Sequence, residues 1–142
     1  MSNASDRFNL SRFTTAQNPV YEQVEKELRE GRKRTHWMWF VFPQIIGLGQ
    51  SEQTRWFAIS CLDEARAYLE HPILGQRLRN CTRLVLEIQG KSVGEIFGSP
   101  DDLKFRSCMT LFARATSVNS DFNKALKRYF DGIEDPLTLE RI

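Results

Sequence analysis

The sequence predicts an all-α fold, a compact single-domain multihelical bundle, and three observations support this. Four prolines follow a residue that suits a helix boundary, apolar residues recur at helical spacing along most of the chain, and no segment alternates apolar and polar residues as a half-buried strand does. The length of 142 residues is typical of one domain. We expect one domain over residues 1–142, with residues 1–5 disordered and a largely buried central helix near residues 100–116.

Four proline pairs mark the expected helix starts. Proline suits the first helical turn because its missing N–H would be unpaired there anyway, and a polar residue before it can accept hydrogen bonds from the free N–H groups. Glycines stand where three of the helices should end, since glycine adopts the left-handed C′ conformation at little cost. The pairs are Asn18-Pro19, His71-Pro72, Ser99-Pro100 and Asp135-Pro136, and the glycines are Gly31, Gly90 and Gly132.

Apolar periodicity fills in the helices between these marks. We expect helices over residues 19–31, from Ser60 through Leu69, and over residues 74–90, 92–98, 100–116 and 122–132, with one or two turns over 52–59 and a last short helix from Pro136. Ser60 and Ser92 each have an acid three residues later, the spacing of a capping box. Residues 37–42 are strongly apolar and have no strand partner, so they form either a buried extended piece or a short helix.

The composition argues against a disordered, a nucleic-acid-binding or a membrane-spanning protein. With 41% hydrophobic residues and a net charge of +2, the chain is neither disordered nor basic enough to indicate nucleic acid as a partner. Its longest apolar run is far too short to cross a bilayer, so no membrane association is predicted and a cytoplasmic location is expected. Three widely spaced cysteines lie among apolar neighbours, which favours a structural role and predicts no metal site.

The segment 32–44 has the most unusual composition in the chain. It combines three cations, His36 and several aromatic residues, and it ends at Gln44. One interpretation is structural: the cations complement a helix C-terminus and the aromatic side chains fill the core. The other is a ligand pocket in which Trp37 and Trp39 stack on a planar ligand, while His36 titrates near neutral pH and basic side chains hold phosphate.

A second candidate cluster lies at the start of the expected central helix, over residues 101–107. Acids in a first turn are stabilised by the helix dipole, which is a sufficient structural explanation. Asp101 and Asp102 nevertheless point about a quarter-turn apart, so one of them can face a cleft beside Lys104 and Arg106. No phosphate-binding loop, dinucleotide fingerprint or serine-hydrolase motif is present, and no cofactor is predicted.

The chain resembles the family of domain of unknown function 1810 over nearly its whole length. The resemblance rests on FNLxxFxxAQ at 8–17, KRTHWMWFVFPQ at 33–44, LDEA and YLxHP between 62 and 72, and SPDDLKxxxxMTLF at 99–112. It implies a small multihelical fold and no particular activity. Members are sometimes labelled calpastatin-like, but calpastatins are polar, disordered inhibitors, and an aromatic core does not fit that physics. A fainter similarity, from Asp102 to Phe112 and the next helix, is to the NADAR group of ribosyl-linkage glycosidases.

Two functions remain open from these residues. The first is binding of a phosphate-bearing planar ligand, of nucleotide or ADP-ribose type, in a pocket formed by Trp37, Trp39, Gln44, Lys104 and Arg106. Hydrolysis there would use Asp102 to stabilise a cationic sugar or activate water, with His36 orienting the substrate or assisting as an acid. The alternative is a non-enzymatic protein–protein interaction module, a monomer or a homodimer, whose aromatic segment belongs to the core or to a partner surface.

Overall fold

Helices account for the regular structure of the chain. The computed structural model describes residues 6–116 and 119–142, and the helices in these ranges confirm the all-α prediction. The expected disorder of residues 1–5 lies outside the described residues. None of the described helices is long and apolar enough to span a membrane. In chain order the helices are α1 (Ser11–Gln17), α2 (Tyr21–Arg29), α3 (Met38–Val41), α4 (Glu52–Trp56), α5 (Leu62–Glu70), α6 (Leu74–Glu87), α7 (Val93–Phe97), α8 (Asp101–Ala115), α9 (Asp121–Phe130) and α10 (Pro136–Leu139).

Helix α8 is the centre of the bundle, as its apolar residues on most sides predicted. Phe105 and all residues from 107 to 113 are buried, and α5, α7, α9 and α10 pack around the helix. Each fully buried Phe, Leu or Met contributes ~1.5–3 kcal/mol relative to exposure, so α8 holds a large share of the apolar stabilisation. Its observed bounds differ from the predicted 100–116 by one residue at each end.

One of the four proline-marked starts forms as predicted, and a second forms in part. The Asp135 carboxylate accepts a hydrogen bond from the N–H of Thr138, and Pro136 is the first residue of α10. At the boundary between α5 and α6, the Nδ1 atom of His71 accepts hydrogen bonds from the N–H groups of Ile73 (3.1 Å) and Leu74 (3.2 Å). The His71 ring therefore binds free N–H groups at this boundary as the oxygen of Asp or Asn would, but the helix begins at Leu74, after the N-cap Ile73, and not at Pro72.

The other two proline-marked starts need correction. Asn18 ends α1, and α2 begins after Val20 without a side-chain cap. Ser99 precedes a cis peptide bond to Pro100 and makes no cap for α8. Helix α1 itself is absent from the sequence prediction because its first turn is capped from outside: the Asp6 carboxylate accepts a hydrogen bond from the N–H of Ser11.

Of the two predicted capping boxes, the one at Ser92 is present. Ser92 and Glu95 form the predicted reciprocal pair at the start of α7. Ser60 instead donates to Glu64, both from its N–H (2.8 Å) and from its hydroxyl (2.7 Å). The predicted Ser60–Asp63 box is wrong, because the N-cap of α5 is Cys61 and its side chain makes no capping hydrogen bond.

The aromatic segment 37–42 contains the short helix α3, the second of the two alternatives. After α3 the chain pairs once with the segment that follows α4: the Ile46 N–H donates to the Ile59 carbonyl, and the Ile59 N–H donates to the Gln44 carbonyl, both at 2.8 Å. This single bridge joins the segment after α3 to the segment after α4. Of the cysteines, Cys81 and Cys108 are buried, and desolvation raises the pKa of the Cys81 thiol to about 12, in agreement with a structural role.

Candidate functional site

A narrow cleft lies where α3 and α4 meet the first turn of α8. It brings together three of the residues that the sequence nominated, Trp39, Gln44 and Lys104. The cavity volume is about 10 Å³, room for about one water molecule and far below the ~300–1,000 Å³ of sites that hold drug-sized ligands. The complete lining is Met38, Trp39, Phe42, Gln44, Thr54, Phe57 and Lys104.

Trp39 and Lys104 interact with each other in the lining of this cleft. The Nζ atom of Lys104 lies 5.7 Å from the centre of the Trp39 ring, within the range of a cation–π interaction. Both side chains are half-buried, and Lys104 is the only charged residue among the described residues that line the cleft. The cleft can therefore offer an indole face and a positive charge to the same ligand.

Asp101 lies between Lys104 and a second lysine that the sequence analysis did not nominate. Its Oδ2 atom is 2.9 Å from Nζ of Lys33, and its Oδ1 atom is 3.7 Å from Nζ of Lys104. Lys33 in turn lies 5.3 Å from the centre of the Trp37 ring. We call Lys33, Asp101 and Lys104 the Asp101 cluster.

Trp37 has a different place from the one predicted for it. It is 1% exposed, and its indole N–H donates to Oε1 of Glu27 at 2.9 Å. The Trp37 ring is packed in the core, and Lys33 lies over one of its faces. Trp37 therefore offers no open face to a ligand. The two tryptophans of the aromatic segment thus have different positions. Trp37 lies in the core, as the structural interpretation expected, and Trp39 lies at the cleft.

Glu27 holds the segment that carries Lys33 and Trp37. Its buried carboxylate accepts five hydrogen bonds, from the backbone N–H groups of Arg34 and Thr35, the Thr35 hydroxyl, the Gln23 amide and the Trp37 indole. Burial by itself raises the pKa of Glu27, but these hydrogen bonds outweigh burial and lower the pKa to about 2. A fixed negative charge therefore anchors residues 33–37 to α2.

His36, Asp102 and Arg106 lie away from the cleft lining. His36 is exposed, and no hydrogen bond or ion pair joins it to Asp102 within the described ranges. Asp102 is half-buried, and its Oδ1 atom accepts the N–H of Leu103 at 2.9 Å. Arg106 has its Nη2 atom 3.5 Å from Oδ1 of Asp135. Between the two first-turn acids, Asp101 is the one next to the cleft. The catalytic roles of His36 and Asp102 stay predictions.

The sequence did carry a signal for Glu27. Val24 and Leu28 lie on the buried face of α2, and Glu27 shares that face while other charged residues of the helix point elsewhere. A charge on an apolar face is costly unless it is paired, so this position predicts a buried hydrogen-bonding partner. Lys33 gave no such signal, because its partner is 68 positions away in the chain.

Comparison with known proteins places the chain in a family. A search of curated proteins gives no match. Among solved structures, the chain is similar to the conserved hypothetical protein Rv1873 from Mycobacterium tuberculosis, known from a crystal structure at 1.38 Å: the identity is 58%, the TM-score is 0.92, and the match covers 94% of this chain and 95% of that one. The family model described as protein of unknown function (DUF1810) matches residues 7–142. The chain therefore belongs to the DUF1810 family.

Proposed function

We propose that the protein binds a small molecule with a planar ring and an anionic group, in the cleft between α3, α4 and α8. The observation that carries this proposal is the Lys104 ammonium above the half-buried Trp39 ring. A ligand ring can stack on the indole, and its anionic group can pair with the ammonium. The Gln44 side chain makes no hydrogen bond within the described residues, so its amide is free to bind polar atoms of the ring.

The cleft is small, which limits how a ligand can enter it. The cleft as it stands has a volume of about 10 Å³, whereas benzene needs a cavity of ~150 Å³, so a ring can enter only where side chains of the lining move apart. A nucleotide would place its base against Trp39, in the space that Lys104 leaves, and keep the ribose outside. The Lys104 side chain, held to Asp101 only by a 3.7 Å contact, swings off the indole to admit the ring.

Binding, without hydrolysis, is the part of the sequence prediction that we carry forward. Asp102 and His36 do not line the cleft, so a hydrolytic step would require them to reach the ligand from outside it. A nucleotide remains our preferred ligand class because it joins a flat base to an anionic group.

A titration monitored through the Trp39 indole N–H signal tests the proposal. We expect AMP and ADP-ribose to shift this signal with saturation, and Lys104→Gln to weaken binding about tenfold or more. Trp39→Leu, which lacks the signal and is followed by isothermal titration calorimetry, should weaken binding to a similar extent. Trp56→Leu is the matched control, since Trp56 is 58% exposed and does not line the cleft. The proposal fails if neither ligand shifts the signal, or if the Trp56 variant loses binding to the same extent.

One observation favours the alternative of a protein–protein interaction module. Trp56 ends α4 with 58% of its surface exposed, and Ile46, on the paired segment, is 51% exposed. Large exposed apolar side chains are typical of partner surfaces. Sedimentation at micromolar concentration tests this alternative: a dimer that Trp56→Glu dissociates would support it, and a strict monomer would argue against a homodimer.

A further inference from the structure

A groove lies between α2 and α6 and shares no lining residue with the cleft between α3, α4 and α8. Its volume is about 490 Å³, within the ~300–1,000 Å³ of small-molecule sites. Most of the lining comes from one stripe of α6, because residues three and four positions apart share a face of a helix. The complete lining is Tyr21, Ile73, Gln76, Arg77, Asn80 and Arg83.

Arg77 is held in this groove by neutral groups. Its Nη1 atom donates to Oε1 of the buried Gln17 at 3.3 Å, and its guanidinium carbon lies 4.7 Å from the centre of the Tyr21 ring. Arg77 is half-buried and forms no ion pair with a carboxylate of residues 6–116 or 119–142. A guanidinium has five N–H donors, and the hydrogen bond to Gln17 uses one of them. Arg77 can therefore bind an anion without first breaking an ion pair.

The surroundings of the groove are also positive. Both charged residues of its lining, Arg77 and Arg83, are cations. Two carboxylates lie beside the groove, one bound to Arg83 and one to Asn80, and each also contacts a cation outside the lining. These contacts are Asp121 with Arg83 (2.9 Å) and Lys124 (3.8 Å), and Glu25 with Arg29 (3.6 Å). The four cations and two carboxylates leave a net charge of +2.

We infer that this groove is a second ligand site, which binds a small phosphomonoester that carries an apolar group. The dianionic phosphate pairs with Arg77 and Arg83, since the planar fork of arginine donates to two phosphate oxygens at once. The apolar group covers Ile73, which is 44% exposed and lies one helical turn from Arg77. This inference is independent of the proposed function, because it concerns different residues.

Coulomb's law gives the preference for a dianion. At about 6 Å in water, each of the two surplus positive charges favours an additional ligand charge ~3-fold, so a dianion should bind about tenfold more tightly than a monoanion of the same shape. Arg77→Gln removes one charge and the two-point contact with the phosphate. It should therefore weaken binding of the dianion about tenfold or more.

Arg79 provides a matched control on the same helix. It is half-buried like Arg77, forms no ion pair within the described ranges, and donates one hydrogen bond, to the Leu69 carbonyl at 3.1 Å. Arg79 does not line the groove. Arg79→Gln therefore removes the same charge from α6 and leaves the groove unchanged.

The experiment is a titration with phenyl phosphate and phenyl sulfate, which share a ring and a tetrahedral anionic group. At pH 8 phenyl phosphate carries about two charges, because its second ionisation has a pKa of ~6, and phenyl sulfate carries one. Binding is followed through the Ile73 methyl signal, with the signal of Ile133 as the internal reference, since Ile133 is 59% exposed and lies outside the groove. We expect phenyl phosphate to bind the wild type about tenfold more tightly than phenyl sulfate. Arg77→Gln should lose about tenfold or more of that affinity, and Arg79→Gln less than twofold.

The outcomes test this site separately from the Trp39 cleft. If phenyl phosphate leaves the Ile73 signal unchanged, the inference is wrong, whether or not the Trp39 indole signal moves. Equal affinities for the two probes, or equal losses in Arg77→Gln and Arg79→Gln, would also overturn it. If Arg77→Gln does not fold, Arg83→Gln takes its place, because Arg83 is 62% exposed and its substitution should be tolerated. It should weaken binding of phenyl phosphate ~3–10-fold, and unchanged binding would contradict the site.

Discussion

The starts of α8 and α9 have the same local design and different surroundings. Both begin with Asp-x-x-Lys, over residues 101–104 and 121–124. In each, the aspartate is the first helical residue, contacts a cation from another segment at 2.9 Å, and contacts the lysine three residues later at 3.7 or 3.8 Å. From the sequence, the two starts therefore give the same prediction of a first-turn acid stabilised by the helix dipole.

What differs is the exposure of the partner cations. Lys33 and Lys104, at α8, are 8% and 26% exposed and lie above tryptophan rings. Arg83 and Lys124, at α9, are 62% and 65% exposed. Ion pairs in water contribute little, whereas a partly desolvated pair is strongly coupled to its surroundings. The comparison teaches that an acidic helix start becomes a candidate site only where tertiary packing removes its partners from solvent.

The largest expected effect on stability comes from substituting Glu27, which holds the segment that carries Lys33. Arg83 is carried by a helix, α6, but Lys33 is carried by a loop that Glu27 holds in place. Glu27→Ala leaves five hydrogen-bond donors without their acceptor, so we expect a loss of about 3–5 kcal/mol in the free energy of unfolding, measured by urea denaturation. Glu22→Ala, an exposed change on the same helix, should stay within about 0.5 kcal/mol. A loss below about 1 kcal/mol for Glu27→Ala would contradict the anchoring role.

The same carboxylate predicts how stability depends on pH. The pKa of Glu27 is about 2 in the folded protein, below its ordinary value of 4.5. Because the folded-state pKa is the lower one, the stabilisation is complete above about pH 4.5 and is lost as the pH falls toward about 2. Urea denaturation between pH 5 and pH 2.5 should show a steep fall in the wild type and a shallower one in Glu27→Gln. Equal slopes in the two proteins would show that Glu27 does not contribute this dependence.

Double-mutant cycles measure the difference between the two helix starts directly. We expect a coupling energy of about 1–2 kcal/mol for Lys33 with Asp101, because the pair is partly desolvated. For Arg83 with Asp121 we expect at most about 0.5 kcal/mol, as for other exposed ion pairs. The cycles use Lys33→Gln with Asp101→Asn, and Arg83→Gln with Asp121→Asn, and stability is read from urea denaturation. Equal coupling energies would remove the distinction between buried and exposed starts.

The smallest effect concerns the helix caps. Ser120 and Asn123 form a reciprocal capping box at α9, whereas α8 starts without a side-chain cap even though Ser99 stands in a favourable position for one. Ser120→Ala should therefore lower the free energy of unfolding by about 1 kcal/mol, and Ser99→Ala by no more than a few tenths, ~0.3 kcal/mol. Thermal melting of the two variants side by side checks this. A larger loss for Ser99→Ala would mean that Ser99 stabilises α8 after all.

Much of the fold was predictable because its signals are local. The repeat of Leu74, Leu78 and Val85 is visible within a few turns of α6, and the capping box of α7 spans four residues. The same applies to the burial of α8, since apolar residues on most of its sides leave only the centre of a bundle for it. We predicted Trp39, Gln44 and Lys104 as site residues because their residue types suit ligand binding. The residue types alone do not predict that all three line one cleft.

The sequence by itself determined the helical class, the approximate positions of most helices and the central place of α8. Only the tertiary structure decided that Trp37 points into the core, that Trp39 faces a cleft, and that Lys33 contacts Asp101. The physical reason is that hydrogen bonding and periodicity within a helix depend on residues three or four positions apart. The charge and the desolvation of a site depend instead on segments that are distant in the chain and that only the packing of the whole bundle brings together.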